Sequence, residues 1–398
     1  MRSGVDFLGG QITRRLRISI ASFLLILAFL FFVILPGAIE SHFNTTMFPP
    51  PYQASQAARD LNASLWIADL HADSLLWGRN LLERDARGHV DLPRLIQGNV
   101  ALQIFSLPTK TPWGLNIERN TDRGDQITWL AVAERWPLPS WKSLTARALY
   151  QARRLQQMTA DSHGEFALIQ SASDLSAYEA RRKSNQAMVA AILSIEGAHA
   201  LDGKLENLDV LFDRGYRMMS PSHFFDNDIA GSSAGVDKSG LSEKGRAMIR
   251  RMESKRMIVD LAHASPRTID DVLAIATRPV VVSHTGLKAT CNNNRNLSDA
   301  QIQAVAKNGG LIGIGYWPTA TCGHDAAAIV RSMRHVVDLV GADHVALGSD
   351  FDGAVEEPFD TSGLVKITEA LLDAGFSEDQ IRLIMGGNVL QFLKQNLP

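Results

Sequence analysis

Short apolar runs alternate with amphipathic stretches over most of the chain. The apolar runs have the length and composition of buried strands, and they are LWIADLHAD, NVALQIF, MVAAILSIEG, YRMMSPSH, RMIVDLAH, PVVVSH, GLIGIGYW and HVALGSDFDG. Many of the stretches between them repeat apolar residues at helical spacing, as in LSEKGRAMIRRMESK, SPRTIDDVLAIATR, SDAQIQAVAKN and DAAAIVRSMRHVVDLVG. A strand and a helix repeated about eight times predict an α/β fold with a (β/α)8 TIM-type barrel.

A doubly wound open sheet gives the same alternation and is the structural alternative. That fold binds dinucleotides at a Gly-rich turn after its first strand, and no such turn follows LWIADLHAD. The barrel is therefore the favoured prediction. Residues 109–166 depart from the alternation because they are richer in Trp, Arg and Gln, and we interpret them as a helical excursion from the barrel.

The N-terminal region contains an uncharged apolar segment, ISIASFLLILAFLFFVIL, at residues 18–35. It is long enough to cross a hydrocarbon core of about 30 Å. Arg14, Arg15 and Arg17 precede it, and the positive-inside rule keeps such residues in the cytoplasm. We predict a cytoplasmic segment at 1–17, a single-pass transmembrane helix at 18–36, and a catalytic domain on the outer (periplasmic or extracellular) face. A cleaved signal peptide is the alternative.

Residues 37–60 contain three consecutive prolines, Pro49 to Pro51, and predict a stiff linker. The rest of the chain, residues 61–398, is long enough for one large α/β domain. The net charge is −2, from 40 Lys and Arg against 42 Asp and Glu. Because there is neither a basic excess nor a basic stripe interleaved with aromatics, we do not expect nucleic-acid binding.

The chain contains two cysteines, Cys291 and Cys322. One pair is compatible with a single disulfide in an oxidising compartment, as the predicted export would allow. Two unrelated buried thiols are the alternative, and the residues alone leave both interpretations open.

Acidic and histidine side chains end the apolar runs. His71 and Asp73 lie two residues apart in DLHAD, so a strand places both on one face. The other runs end in, or are followed by, Glu196, His223, His263, His284 and Asp350, with Asp352 two residues further on. Polar side chains at such places are costly unless they are used. A barrel holds its catalytic side chains at the carboxyl ends of its strands.

These residue types predict a metal site. A single histidine at a strand end is more often a hydrogen-bonded core residue than a ligand, but four histidines, two aspartates and one glutamate in barrel order form an improbable coincidence. Imidazoles with carboxylates suit zinc or a similar transition metal. Two metal ions that share a carboxylate are the natural arrangement for so many ligands.

The motifs resemble the membrane dipeptidase family over residues 65–395. The most specific segments are GRAMIRRMESKRMIVDLAHAS through SHTG, and GSDFDG; the others, in the family's order, include DLHAD, SIEGAHAL, SPSHFFDND, CNNNRNLSD and GGNVLQF. The resemblance implies a barrel of the metallo-dependent hydrolase type with two zinc ions. It also implies that the enzyme hydrolyses dipeptides by attack of a metal-bound hydroxide on the peptide carbonyl.

The resemblance assigns metal ligands residue by residue. His71 and Asp73 would bind one zinc ion, and Glu196 would bridge the two ions. His263 and His284 would complete the second ion's ligands.

The resemblance also assigns the residues that act on the substrate. His223 would contact the substrate and polarise the scissile carbonyl, Arg295 would hold the substrate carboxylate, and Asp350 would handle the proton. Cys291 and Cys322 match a disulfide of the family, which supports the exported topology.

Some positions depart from the family pattern or have weaker assignments. His199 matches a family position and is interpreted as a support for the ligands rather than a ligand. Asp69 lies beside the first zinc ligands and either supports them or is structural. The family's substrate-binding tyrosine upstream of the second cysteine corresponds to Thr319, with Tyr316 and Trp317 nearby. Since that tyrosine is replaced, the sequence leaves the substrate preference open.

Two other functions fit the same residues. One is a different amidohydrolase, acting on a lactone, a phosphoester or an N-acyl amino acid. Such enzymes often bridge their metals with a modified lysine, whereas here an apolar strand delivers Glu196. The other is a membrane-tethered binding protein that kept the barrel and lost the chemistry. The sequence also leaves open whether the chain forms a homodimer.

Overall fold

Eight parallel strands form the ring that the alternation predicts. The structure is a computed structural model and describes residues 5–398, without the side chains of residues 5–13 and 15. The strands are β1 (Ile67–Ala72), β2 (Val100–Phe105), β3 (Phe166–Leu168), β4 (Val189–Ile195), β5 (Tyr216–Met219), β6 (Ile258–Val259), β7 (Val281–Thr285), β8 (Leu311–Ile314) and β9 (Val345–Leu347). Their order is β6-β5-β4-β2-β1-β9-β8-β7, and β3 pairs with β4 beside this path. A parallel bridge between Asp260 and Val281 joins the two ends, so the barrel prediction is confirmed.

Helices surround the ring. They are α1 (Val5–Phe29), α2 (Leu35–Phe43), α3 (Gln56–Ser64), α4 (Leu92–Gln97), α5 (Gln126–Ala133), α6 (Leu144–Asp161), α7 (Ala172–Arg182), α8 (Asn207–Asp213), α9 (Glu243–Ser254), α10 (Pro266–Ile275), α11 (Asp299–Lys307), α12 (Pro318–Thr321), α13 (Ala326–Val340), α14 (Val365–Asp373), α15 (Glu378–Arg382) and α16 (Asn388–Asn396). The four amphipathic stretches quoted above form α9, α10, α11 and α13. Each of the four begins after a Ser or Asp whose side chain accepts a backbone N–H, which satisfies a donor that the first turn leaves free.

The strands are apolar on both faces because both faces are buried. Ala68 and Leu70 of β1 belong to a core cluster that takes residues from all eight strands of the ring, together with Phe392 and Leu393 of α16, so this cluster fills the interior of the ring. Successive strand residues point to opposite faces. The register of β1 shifts between Asp69 and Ala72, and Ala72 belongs to the cluster that packs against the outer helices. Its neighbour His71 therefore points towards the interior of the ring at its carboxyl end.

The N-terminal helix is long, apolar and exposed. Its part from Leu16 to Phe43 is long and apolar enough to cross a membrane, and the most apolar stretch is not buried against the rest of the chain. A short π-helical turn at Leu30–Ile34 separates α1 from α2. By length and composition this helix suits a membrane anchor or a signal sequence, and it contains the predicted span 18–36. Residues 1–4 of the predicted cytoplasmic segment lie outside the described residues.

The segment predicted as a linker packs against the barrel. Helix α2 continues to Phe43, and its Glu40 is 2% exposed. Glu40 forms ion pairs with Arg79 and Arg87, which the sequence alone does not place near it. Residues 45–48 then pair their backbone with Glu357 and the residue after it. Residues 37–60 are therefore largely structured and attached to the loop after β9.

Candidate metal centre and active site

The strand-end residues meet at one end of the ring. His71 lies at the end of β1 and Asp73 just beyond it, Glu196 directly follows β4, and His284 lies in β7. The loops after β5, β6 and β9 carry His223, His263 and Asp350. All of them are at least 90% buried, with Asp350 the most exposed at 9%. The structure thus brings together the residues that the sequence marked, at the end where barrels hold their active sites.

Glu196 stands at the centre of the cluster. Its Oε1 lies 3.2 Å from His71 Nε2, and its Oε2 lies 3.2 Å from His263 Nε2. The same Oε2 is 3.3 Å from His223 Nε2 and 3.8 Å from His284 Nε2. One carboxylate therefore faces the imidazole nitrogens of four histidines, each at or just after the end of a different strand.

The donor atoms fit metal ions. Three overlapping groups bring their ligand atoms within 4.8 Å of one another, and these are His71 with Asp73 and Glu196, Glu196 with His223 and His263, and His71 with His284 and Asp350. Among the described residues, His71 Nε2, Asp73 Oδ1 and Glu196 Oε1 are buried without a hydrogen-bond partner. Buried polar atoms are rarely left unpaired unless something else satisfies them. Nitrogen and carboxylate donors in this combination suit zinc or a similar transition metal.

The histidine protonation states also favour metal binding. Burial holds the pKa of His263 and that of His284 well below the usual range. Their ring nitrogens Nε2 lie only 2.9 Å apart, and two neutral imidazoles tolerate this approach where two imidazolium ions would repel each other. Neutral imidazole is the form that binds metal. At His71 burial also lowers the pKa, but the charges of Glu196 and Asp73 outweigh it and raise the pKa well above the usual value.

A buried aspartate that the sequence analysis missed orients His284. Ser283 Oγ lies 2.9 Å from His284 Nδ1 and donates to Asp260 Oδ2 at 2.6 Å. Asp260 also accepts the backbone N–H of Ser283 at 2.9 Å. A hydrogen-bonded second nitrogen fixes the ring orientation of a ligating histidine. The signal was available in MIVDLAH, where a charged residue interrupts an apolar run.

Asp69 and His199 do not share the cavity with the strand-end cluster. Asp69 is fully buried and accepts hydrogen bonds from the backbone of His71 at 2.9 Å and from Gln103 at 3.2 Å. It also accepts the backbone N–H of Ser349, so its hydrogen bonds connect β1 with the neighbouring β2 and the loop after β9. His199 is 8% exposed, and neither ring nitrogen has a hydrogen-bond partner among the described residues.

Asp350 and Asp352 have different surroundings. Asp350 Oδ1 lies 3.6 Å from His71 Nε2, and burial raises the pKa of this carboxyl to about 7. Asp350 also holds φ at 68°, a left-handed backbone conformation that is costly for a residue other than glycine. Asp352 instead pairs with Arg79 at 2.7 Å and accepts from Ser74 Oγ at 2.6 Å. Asp350 is thus the member of the pair that faces the cluster.

Five residues of the cluster line a cavity of about 260 Å³, and these are Asp73, Glu196, His223, His263 and Asp350. Arg295 lines this cavity, is 8% exposed and donates from Nη2 to the carbonyl of His284 at 2.7 Å. Its guanidinium lies 5.8 Å from the Trp317 ring centre. The apolar wall includes Leu115 and Ile117 from the excursion, which no local sequence pattern marked. A cavity of this size with one buried cation suits a small substrate that carries an anionic group.

The structure shows which residues stand near the missing family tyrosine. Trp317 and Thr319 line the cavity. Tyr316 is fully buried between Phe351 and Phe359, with ring centres 5.6 Å and 5.8 Å away. Tyr316 therefore does not line the cavity.

The predicted disulfide is confirmed. Cys291 and Cys322 are bonded, with Cα atoms 5.2 Å apart. The bond joins the loop that carries Arg295 to the end of α12, close to Trp317. It therefore links two walls of the cavity.

Replacing both cysteines by serine should lower the free energy of unfolding by about 3 kcal/mol, because the bond closes a long loop in the unfolded chain. Chemical denaturation of the purified protein measures this, and reductant acting on the unaltered chain should reproduce the loss. Equal stability with and without the bond would contradict the prediction, as would two free thiols in non-reduced peptides.

A parallel barrel with buried histidine and carboxylate donors at its carboxyl end has the architecture of a metal-dependent hydrolase. The family model described as membrane dipeptidase (peptidase family M19) matches residues 55–397. The chain therefore belongs to the membrane dipeptidase family, as its motifs indicated.

Individual relatives agree with this membership. Dipeptidase tcpJ of Claviceps purpurea (strain 20.1) is 29% identical over 78% of this chain and 70% of that protein. Dipeptidase aclJ of Aspergillus oryzae (strain ATCC 42149 / RIB 40) is 29% identical over 82% of this chain and 77% of that protein. A metallopeptidase from Rhodobacter sphaeroides, solved with a phosphinate mimic of the dipeptide L-Ala-D-Ala, shares the fold with a TM-score of 0.68. Its sequence is 23% identical, over 83% of this chain and 99% of that one.

Proposed function

We propose that this protein is a zinc-dependent dipeptidase whose two metal ions share Glu196. The observation that carries the proposal is the central position of Glu196, whose two oxygens face different sets of donors. Family membership supports dipeptide hydrolysis. The dipeptide mimic bound by the Rhodobacter sphaeroides relative supports a substrate of the same size.

His71, Asp73 and Glu196 would hold one ion, and Glu196, His263 and His284 the other. His223 lies nearer to Glu196 Oε2 than His284 does, at 3.3 Å against 3.8 Å. We still assign His284 as the ligand, because Ser283 and Asp260 hold its Nδ1 side. His223 Nδ1 has no hydrogen-bond partner among the described residues. A supported second nitrogen favours a ligand role. His263 has no such partner at Nδ1 either, so its assignment, like the substrate contact of His223, follows the family resemblance.

The ions would supply Lewis-acid polarisation of the carbonyl and a water of lowered pKa. The protein's own side chains stabilise the oxyanion, transfer the proton and hold the substrate. Burial lowers the pKa of His223 to about 4, so near neutral pH its ring is uncharged and donates one N–H to the oxyanion that develops on the carbonyl. Asp350 accepts the proton of the attacking water and passes it to the leaving amine. Arg295 grips the free carboxylate of the peptide, which favours short peptides over proteins.

Alanine variants distinguish the role of His223 from that of His284. His223→Ala should keep about two zinc ions per chain and lose kcat on the order of 100-fold. His284→Ala should lose one ion. Metal analysis of the purified variants, together with steady-state kinetics, measures both. Loss of zinc in His223→Ala with a full complement in His284→Ala would reverse the assignment.

A panel of dipeptides, assayed with and without a chelator, tests the function directly. We expect free amino acids to be released, and the chelator to abolish the release until zinc is restored. Lactones, phosphoesters and N-acyl amino acids serve as the comparison panel. Turnover of these alone would favour another amidohydrolase activity, and zinc binding without any turnover would favour a binding protein.

We further propose that the N-terminal helix anchors the protein, with residues 1–17 in the cytoplasm and the barrel on the outer face. The arginines before the apolar segment support this orientation. A reporter that is active only outside the cytoplasm, fused after Pro398, should be active. Activity of a reporter that works only in the cytoplasm would contradict this topology, and an N-terminus detected beyond residue 36 in the mature protein would indicate cleavage.

A further inference from the structure

One helix of the barrel domain lacks the polar outer face that a surface helix normally has. Helix α5, QITWLAVA, contains no charged residue. Its inner face is buried through Ile127, Leu130 and Ala131, yet Trp129 on the other face is 58% exposed. Its two polar side chains, Gln126 and Thr128, donate to Pro112 and Asp125 and do not form a polar outer face. A helix without such a face is normally buried in protein or in lipid.

Exposed apolar side chains concentrate in the same part of the domain. Among the described residues from 61 onwards, five large apolar side chains are exposed, and all but Val210 lie between Trp113 and Leu138. Trp113 and Leu138 are 55% and 69% exposed. The segment around Trp113 is tied to the start of α5, because Gln126 N donates to the carbonyl of Thr111 at 2.8 Å. Apolar exposure clustered in this way marks an interaction surface.

This surface adjoins the N-terminal helix. Helix α5 packs against both Leu30–Ile34 and α2, and Ile39 of α2 packs against the core cluster that holds Ile127 and Leu130. Within the apolar stretch from residue 18 to 35, only Phe31 and Phe32 are partly buried. The barrel therefore contacts the last turns of the apolar segment itself.

The attachment fixes the angle between the helix and the barrel. Glu40 is buried in its ion pairs with Arg79 and Arg87. Four residues further on, Asn44 Oδ1 accepts the backbone N–H of Ala354 at 2.9 Å. Because two successive points are held, the helix cannot swing freely, and the depth of its last turns sets the depth of α5.

We propose that the outer face of α5, with Trp129 at its centre, lies in the boundary between lipid headgroups and acyl chains of the membrane that the N-terminal helix enters. The inference rests on the proposed anchor. At about 1.5 Å per residue, Leu30–Ile34 lies about 3 to 9 Å below the end of the span at residue 36. Interfacial apolar helices lie about 5 to 10 Å deep, and Trp is enriched at this depth.

The surface also borders the active site. Leu115, from the same excursion, and Ala354, which binds Asn44, both line the cavity. One wall of the cavity thus comes from the segment that is tied to α5, and another from the loop that binds Asn44 just after α2. The active site consequently opens close to the lipid surface.

Site-specific labelling of the full chain in lipid vesicles tests the proposal. The two native cysteines are bonded to each other, so a fluorophore attaches only to a cysteine introduced as Trp129→Cys, Leu25→Cys or Val210→Cys. Lipids with a nitroxide on the upper acyl chain quench fluorophores at that depth. We expect quenching at position 129 to exceed that at position 210 by about threefold or more. Val210 is a matched control because it is 45% exposed on α8.

Equal quenching at 129 and 210, with strong quenching at 25, would overturn the inference and leave the anchor intact. Absence of quenching at 25 would overturn the anchor and the inference with it. Leu138→Cys provides a second site on the same surface should the Trp129 variant fail to fold. Dipeptide hydrolysis in detergent is independent of all these outcomes, so the proposed function is tested separately.

Discussion

Glu196→Gln should lose most of its zinc and nearly all of its activity. Glu196 is the one carboxylate among the described residues that lies within 4 Å of the ring nitrogens of His71, His223, His263 and His284. An amide keeps the shape but replaces one carboxylate oxygen by an NH2 group that cannot bind a cation. We therefore expect kcat/KM to fall on the order of 1000-fold and zinc to fall well below two per chain.

Glu357→Gln is the matched control for this variant. Glu357 is also fully buried, and neither of its side-chain oxygens has a hydrogen-bond partner among the described residues. Burial raises the pKa of Glu357 well above the usual value, which favours the neutral acid, and an amide resembles that form closely. This control should keep its metals and its activity. If the Glu196 variant behaves like the control, Glu196 does not bridge the ions.

The sequence predicts the candidate metal ligands better than the residues that orient them. Strand-end histidines and carboxylates are visible because a barrel repeats one unit, and each unit delivers its last residue to the same rim. Asp260 is different, since its role depends on the adjacent strand, where Ser283 transmits its hydrogen bond to His284. Contacts between neighbouring strands are a property of register, which a single sequence specifies only weakly.

The N-terminal connection shows a second limit of sequence analysis. Three prolines and a preceding apolar helix are typical of an anchor followed by a spacer. The burial of Glu40 depends on Arg79, thirty-nine residues away, and the backbone pairing of residues 45–48 depends on Glu357. The composition of residues 37–60 does not indicate that Arg79 or Glu357 contacts this segment. The apolar wall of the cavity was missed for the same reason, because Leu115 and Ile117 reach it only through the path of the excursion.

Asp350→Asn should leave the fold and the metals intact while kcat falls on the order of 100-fold or more. Asp350 lies beside the cluster, 3.6 Å from His71 Nε2, and the neutral amide cannot accept a proton. Burial raises the pKa of Asp350 to about 7, Glu196 adds to this effect, and His71 and Arg295 oppose it. Bound cations would draw this pKa down, because they favour the carboxylate.

The pH profile gives Asp350 a signature of its own. The carboxylate is the active form of a proton acceptor, so kcat/KM should fall as the pH drops through the pKa of Asp350 in the metal-loaded enzyme. In Asp350→Asn the residual activity should lose this acidic limb. Steady-state kinetics over a pH series, with zinc held in excess, measures both features.

Asp352→Asn is the contrasting variant, and it separates catalysis from structure. Asp352 is fully buried and pairs with Arg79 at 2.7 Å, and it accepts the backbone N–H of His89 at 2.6 Å. Its loss should lower the thermal stability, because the buried Arg79 loses one of its two carboxylate partners and keeps only Glu40, while kcat per folded molecule stays near that of the unaltered chain. Asp350→Asn should do the reverse. A stable, zinc-loaded Asp350→Asn protein with unaltered kcat would remove Asp350 from the mechanism, and loss of zinc in step with activity would make it a ligand instead.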